Sequence, residues 1–136
     1  MGDLEDFGMI KRGGQILLGL FFLVAGVMHF TEADAFAGIV PPVLPFPYII
    51  VWMTGLMEIG FALALFAKFH LPKTGILLGL FLLAVLPANF YMALYDIPMG
   101  DTRLSPIAAW VRIAAQFPLI AFVLWCCGSP PFRGRP

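Results

Sequence analysis

Five side chains capable of chemistry lie inside apolar stretches of this chain: His29, Glu58, Asn89, Arg112 and Gln116. A carboxylate and a guanidinium can anchor a polar head group through charge-assisted hydrogen bonds, and a carboxylate at mid-membrane depth can relay a proton. The two amides complete hydrogen bonds in either case. Arg112 and Gln116 are spaced i, i+4 and so share one helix face. An ionised group at the centre of a bilayer costs about 2.5–3.5 kcal/mol on insertion scales, so each such residue marks either a functional site or an internal tie. The structural alternative is an ion pair between Glu58 and Arg112, supported by Asn89 and Gln116, with His29 as a satisfied residue at the edge.

The surroundings make lipid the relevant solvent. The 136 residues are 61% hydrophobic and 12% charged, against about 45–50% and about 25% in soluble domains. The net charge is zero, 8 basic against 8 acidic residues, which argues against nucleic acid as a partner. A hydrocarbon core about 30 Å thick needs about 20 apolar residues per helix, and four runs qualify: about 14–30, 47–67, 72–94 and 106–127. The expected fold is therefore all-α, a single integral-membrane domain built as an antiparallel four-helix bundle with short connections. Lys11 and Arg12 precede the first run, and the Ala33-Asp34-Ala35 and Ala35-Phe36-Ala37 triplets fit a small-x-small cleavage rule. The apolar run is longer than a signal core, so a retained helix is expected.

Basic residues set the direction. Lys11, Arg12, Lys68, Lys73, Arg133 and Arg135 fall on one side of such a bundle and only Arg103 on the other, six against one. Both termini are then cytoplasmic, in a bacterial-type plasma (inner) membrane. Counting about 1.5 Å per residue from the outer edge puts Glu58 about 16 Å deep, Gln116 about 15 Å, Arg112 about 9 Å and Asn89 about 8 Å. Side chains tilt toward the N-terminus of their own helix, so all five converge on one layer. A single polar pocket opening outward is expected there. Trp52, Tyr91 and Trp110 are candidates for its aromatic wall.

Other features concern packing. Gly75-x-x-x-Gly79 permits close helix approach, either within the chain or between two copies. Pro87 and Pro118 each deprive the carbonyl four residues back of its donor and predict kinks. Pro41-Pro42 and Pro45-x-Pro47 predict an extended outer loop, and the segment from about 95 to 105 reads as a polar, mobile one. The adjacent Cys126 and Cys127 lack redox spacing, no residue set meets zinc spacing, and nucleotide and nucleophile motifs are absent.

Five sequence pieces in order resemble the DoxX-like family of small four-helix membrane proteins: Gly26-x-x-His29-Phe30, Pro42-x-Leu44-Pro45, Thr54-Gly55-x-x-Glu58, Pro87-Ala88-Asn89-x-Tyr91-Met92-Ala93 and Arg112-x-x-x-Gln116. Together they span about residues 14–127. The resemblance implies a four-helix fold and an association with membrane redox enzymes. The family is named for a subunit linked to an archaeal terminal quinol oxidase and thiosulfate:quinone oxidation. The leading expectation is a pocket that binds a lipophilic small molecule, a quinone among the candidates, as an accessory to membrane redox-complex subunits. Glu58 and Arg112 would anchor the polar head; no activity of the chain alone is expected. The alternative is a structural or assembly subunit with no ligand of its own. A transporter is disfavoured by four short spans without inverted repeats.

Overall fold

The computed structural model describes residues 2–132. Arg133 and Arg135, part of the basic count, lie outside the described residues. The apolar runs become the long helices α1 (Gly2–Thr31), α3 (Pro47–Ala67), α4 (Leu71–Leu94) and α5 (Pro106–Cys126), each long and apolar enough to cross a membrane. This is a multi-pass membrane protein built of helices, and no strand occurs among the described residues. Prolines open α3, α4 and α5, where the missing N–H has no helical partner to lose. Ser105 caps α5, accepting from the Ala108 N–H at 3.2 Å. Pro87 and Pro118 lie inside α4 and α5, which continue through them.

Three local features differ from the sequence expectations. α1 starts at Gly2 rather than near residue 14; helix formation does not require apolar residues, and Asp3 and Glu5 in its first turn complement the helix dipole. The helix is about 45 Å long, more than a hydrocarbon core of about 30 Å requires. Second, the alanine-rich stretch that resembled a cleavage site forms a short helix, α2 (Ala33–Gly38), in keeping with the high helix propensity of alanine. Third, the proline-rich loop turns instead of extending: the Leu44 N–H donates to the Pro41 carbonyl at 3.0 Å. The segment after α4 is also tied internally. Arg103 pairs with Asp96 at 2.6 Å, and Met99 and Thr102 exchange backbone hydrogen bonds of 2.8 and 3.1 Å.

The four long helices pack in a ring. α1 lies chiefly against α3 and α4 against α5, with lesser contacts α1 to α5 and α3 to α4. Glycines set the closest approach. A Cβ on Gly26 would stand 2.8 Å from the Gly55 carbonyl oxygen, and one on Gly55 would stand 2.6 Å from the His29 Cβ. Gly75 and Gly79 are both buried within the chain. A Cβ on Gly75 would stand 2.7 Å from the Cys127 Cβ, and one on Gly79 faces Ile120 and Leu124. The small-residue stripe of α4 is thus occupied by α5 and the residues just after it.

The fully apolar core collects Leu18 and Phe22 of α1, Ala62 and Leu65 of α3, Leu78, Phe81 and Leu82 of α4, and Val123 and Cys126 of α5. Gly55→Ala is expected to destabilise by about 1–3 kcal/mol through overpacking. Gly60→Ala is expected to be neutral or slightly stabilising, because nothing lies within 4 Å of that position. Thermal unfolding in mild detergent checks both; equal behaviour of the two variants would remove the close α1–α3 contact as a constraint.

Candidate functional site

The Gly26–Gly55 contact brings the side chains one turn further on into range of each other. His29 Nδ1 lies 3.1 Å from Glu58 Oε2 and 2.7 Å from the Ala25 carbonyl oxygen. That ring nitrogen can carry only one hydrogen, and the nearer acceptor is the Ala25 carbonyl. Glu58 Oε2 is therefore left buried without a hydrogen-bond donor, on a residue only 8% exposed. An unsatisfied carboxylate oxygen in an apolar interior is costly. The other face of the imidazole is covered by α2: Phe36 stacks on it with ring centroids 3.9 Å apart. α2 is held in turn by the Tyr48 hydroxyl, which donates to the Asp34 carboxylate.

The remaining polar residues form a second group. Asn89 Nδ2 donates to Gln116 Oε1 at 3.2 Å, and Gln116 Nε2 donates to the Leu82 carbonyl at 3.0 Å, all buried. Gln116 thus reaches the carbonyl next to Leu83, the one that Pro87 leaves without its helical donor. Arg112 is not the partner of Glu58. It is half-buried and its guanidinium donates to Met92 Sδ at 3.8 Å, and it forms no salt bridge among the described residues. The Glu58–Arg112 ion pair weighed as the structural alternative does not form: the glycine contact couples α1 to α3 and sets His29 beside Glu58, whereas Arg112 stands on α5, which has no close backbone contact with α3.

The aromatic candidates are peripheral. Trp52 packs near Tyr48 at 6.0 Å and Trp110 stands edge-on to Phe90 at 6.1 Å, both well exposed. Tyr91 is half-buried against Tyr95. None of the three is brought onto the Glu58 carboxylate by these contacts.

A further polar layer was missed in the sequence. Arg12 donates to the Leu65 carbonyl at 2.9 Å, the Phe66 carbonyl at 2.7 Å and Gln15 at 3.2 Å. Gln15 donates to the Cys126 carbonyl at 2.8 Å, and the Ser129 hydroxyl to the Pro72 carbonyl at 2.8 Å. The Arg12 and Gln15 bonds reach carbonyls in the last turns of α3 and α5, which a helix C-terminus leaves free, and the Ser129 bond ties the segment after α5 to the first turn of α4. Gln15, an amide inside the first apolar run, was the available signal; Arg12 read only as a flanking charge. Among the described residues no cluster of three or more His, Cys, Asp or Glu is placed to hold a metal.

Asn89→Leu and Gln116→Leu are each expected to destabilise by about 1–2 kcal/mol, the range of interhelical hydrogen bonds in lipid and of the amide left unpaired. The double variant should lose less than the sum. Additive losses in a double-mutant cycle would show that the two amides do not act as a pair.

No curated protein and no solved structure matches the chain. A family model described as a domain of unknown function, DUF8561, matches residues 18–127. That stretch contains the glycine contact, the His29–Glu58 pair and the Asn89–Gln116 pair. The chain belongs to the DUF8561 family.

Proposed function

We propose that this protein is an antiparallel bundle in a bacterial-type inner membrane, with both termini cytoplasmic, that binds the polar head of a lipophilic small molecule at the Glu58 layer. The arrangement of the helices is supported by two pairs of contacts: Arg12 near the start of α1 meets the end of α3, and His29 near the end of α1 meets Gly55 and Glu58 earlier in α3. Orientation is supported by the basic residues, which gather on the side of Lys11, Arg12, Lys68 and Lys73.

The observation that carries the binding reading is the orphaned, buried Glu58 Oε2. It lacks a committed hydrogen-bond donor among the described residues, because the nearest one, His29 Nδ1 at 3.1 Å, is engaged by the Ala25 carbonyl. A hydroxyl-bearing head group, as on a quinol, would donate to it, while a carbonyl-bearing one, as on a quinone, would accept from the uncommitted N–H groups of Arg112. The DoxX-like resemblance of the segments around His29, Glu58, Asn89 and Arg112 supports an accessory role beside membrane redox subunits. The chemistry on offer is binding and orientation.

A second reading, an assembly subunit without a ligand, is favoured by one observation: the Asn89–Gln116–Leu82 group is satisfied entirely within the chain. Mass spectrometry of lipophilic molecules co-purifying in mild detergent separates the two. The wild-type protein is expected to retain a stoichiometric amphiphile that Glu58→Gln depletes at least tenfold, with the melting temperature of the variant confirming that it is folded. Equal retention by both proteins, or bulk lipid alone in both, would overturn the binding reading and leave the assembly role.

A further inference from the structure

The opposite flank of α3 carries a different arrangement, independent of Glu58. A surface groove of about 360 Å³ opens between α3 and α4 and is lined by Met57, Gly60, Phe61, Ala64, Phe69 and Leu77, with Thr74 at its end. The volume falls within the range of about 300–1,000 Å³ typical of ligand clefts. Its floor is open because Gly60 has no side chain and nothing stands within 4 Å of where one would begin. The lining offers no free polar group, since the Thr74 hydroxyl is committed to the Phe69 carbonyl at 2.7 Å. From Met57 to Ala64 the groove runs about 10 Å along α3 before it reaches the turn, much of the depth of one leaflet of a hydrocarbon core about 30 Å thick.

The end of the groove is basic. Phe69 is flanked in sequence by Lys68 and His70, and Thr74 by Lys73, all three exposed. No acidic residue occurs between Glu58 and Asp96, and neither lysine forms a salt bridge among the described residues. The N-terminus of α4 opens at the same turn, and its dipole adds to the positive potential. An apolar trough running much of one leaflet and ending in cations without salt-bridge partners among the described residues is complementary in shape and charge to a lipid with a negative head.

We propose that this groove seats an acyl chain of an anionic phospholipid whose phosphate is met by Lys68 and Lys73. The site rests only on the membrane-spanning character of the helices and not on the Glu58 reading. Basic pockets between helices near a membrane surface recognise anionic heads in this way.

The test titrates the detergent-solubilised protein with phosphatidylglycerol or with phosphatidylcholine of the same chains, read by native mass spectrometry. One phosphatidylglycerol adduct is expected to form at a concentration about tenfold or more below that of phosphatidylcholine. Lys68→Gln with Lys73→Gln should abolish that preference. Gly60→Leu, which places a side chain in the groove from a position whose Cβ would meet nothing within 4 Å, should lower occupancy by both lipids, and Lys11→Gln should change nothing. Equal binding of the two lipids would overturn the proposal. So would a loss with Lys11→Gln as large as with the double variant, or a protein dimer that Gly60→Leu disrupts in place of a lipid adduct. A change confined to Glu58→Gln would bear on the other site and not on this one.

Discussion

Everything around the candidate site depends on how near α1 can come to α3. Gly26 and Gly55 face each other so closely that neither position has room for a methyl group. In lipid no hydrophobic force drives helices together, so close backbone packing has to do it. Once the backbones touch, His29 and Glu58 tilt toward the N-termini of their own helices and meet. A larger residue at either glycine would part the helices and leave a carboxylate facing hydrocarbon with no imidazole beside it.

The same logic organises the whole length of the bundle. Along α1 and α4 the inward residues read polar, apolar, polar: Gln15, then Leu18 and Phe22, then the half-buried His29 on α1; Thr74, then Leu78 and Leu82, then Asn89 on α4. On α5 and just beyond it the order is Gln116, Val123 and Cys126, and Ser129. A dry core is therefore bounded by two sets of polar ties. One set binds helix ends: Arg12 and Gln15 reach carbonyls that a helix C-terminus leaves free, and Ser129 ties the end of the bundle to the first turn of α4. The other joins the helices pairwise, α1 with α3 and α4 with α5.

These sets differ in completeness, and that difference carries the functional argument. Arg12, Gln15, Asn89 and Gln116 all find acceptors within the chain, as buried polar groups in native proteins generally do. Among the described residues Glu58 Oε2 alone is buried without a donor, and Arg112 on α5 has a thioether as its hydrogen-bond acceptor. A chain that satisfies its other buried polar groups this fully leaves an exception that calls for an external partner. The covering helix α2, stacked through Phe36 on His29, closes over the imidazole beside that exception, which is itself buried.

Composition and run length determined the solvent, the number of crossings and the helical class, because a backbone in hydrocarbon has to satisfy its own hydrogen bonds and about 20 apolar residues are needed to span it. They also singled out His29, Glu58, Asn89, Arg112 and Gln116, since polar groups are conspicuous against an apolar background. Pairing was beyond them. Charge alone matched Glu58 with Arg112, but side chains can meet only where backbones already approach, and Gly26 and Gly55 award Glu58 to His29. α2 escaped notice because six helical residues leave no periodic signal, and Arg12 because its role lies in carbonyls of α3 that are more than fifty residues away in the chain. That Glu58, Asn89 and Gln116 are buried could be read from the order of residues; which polar groups are satisfied was decided by the tertiary structure, because a hydrogen bond depends on distance and direction and those exist only once the helices have packed.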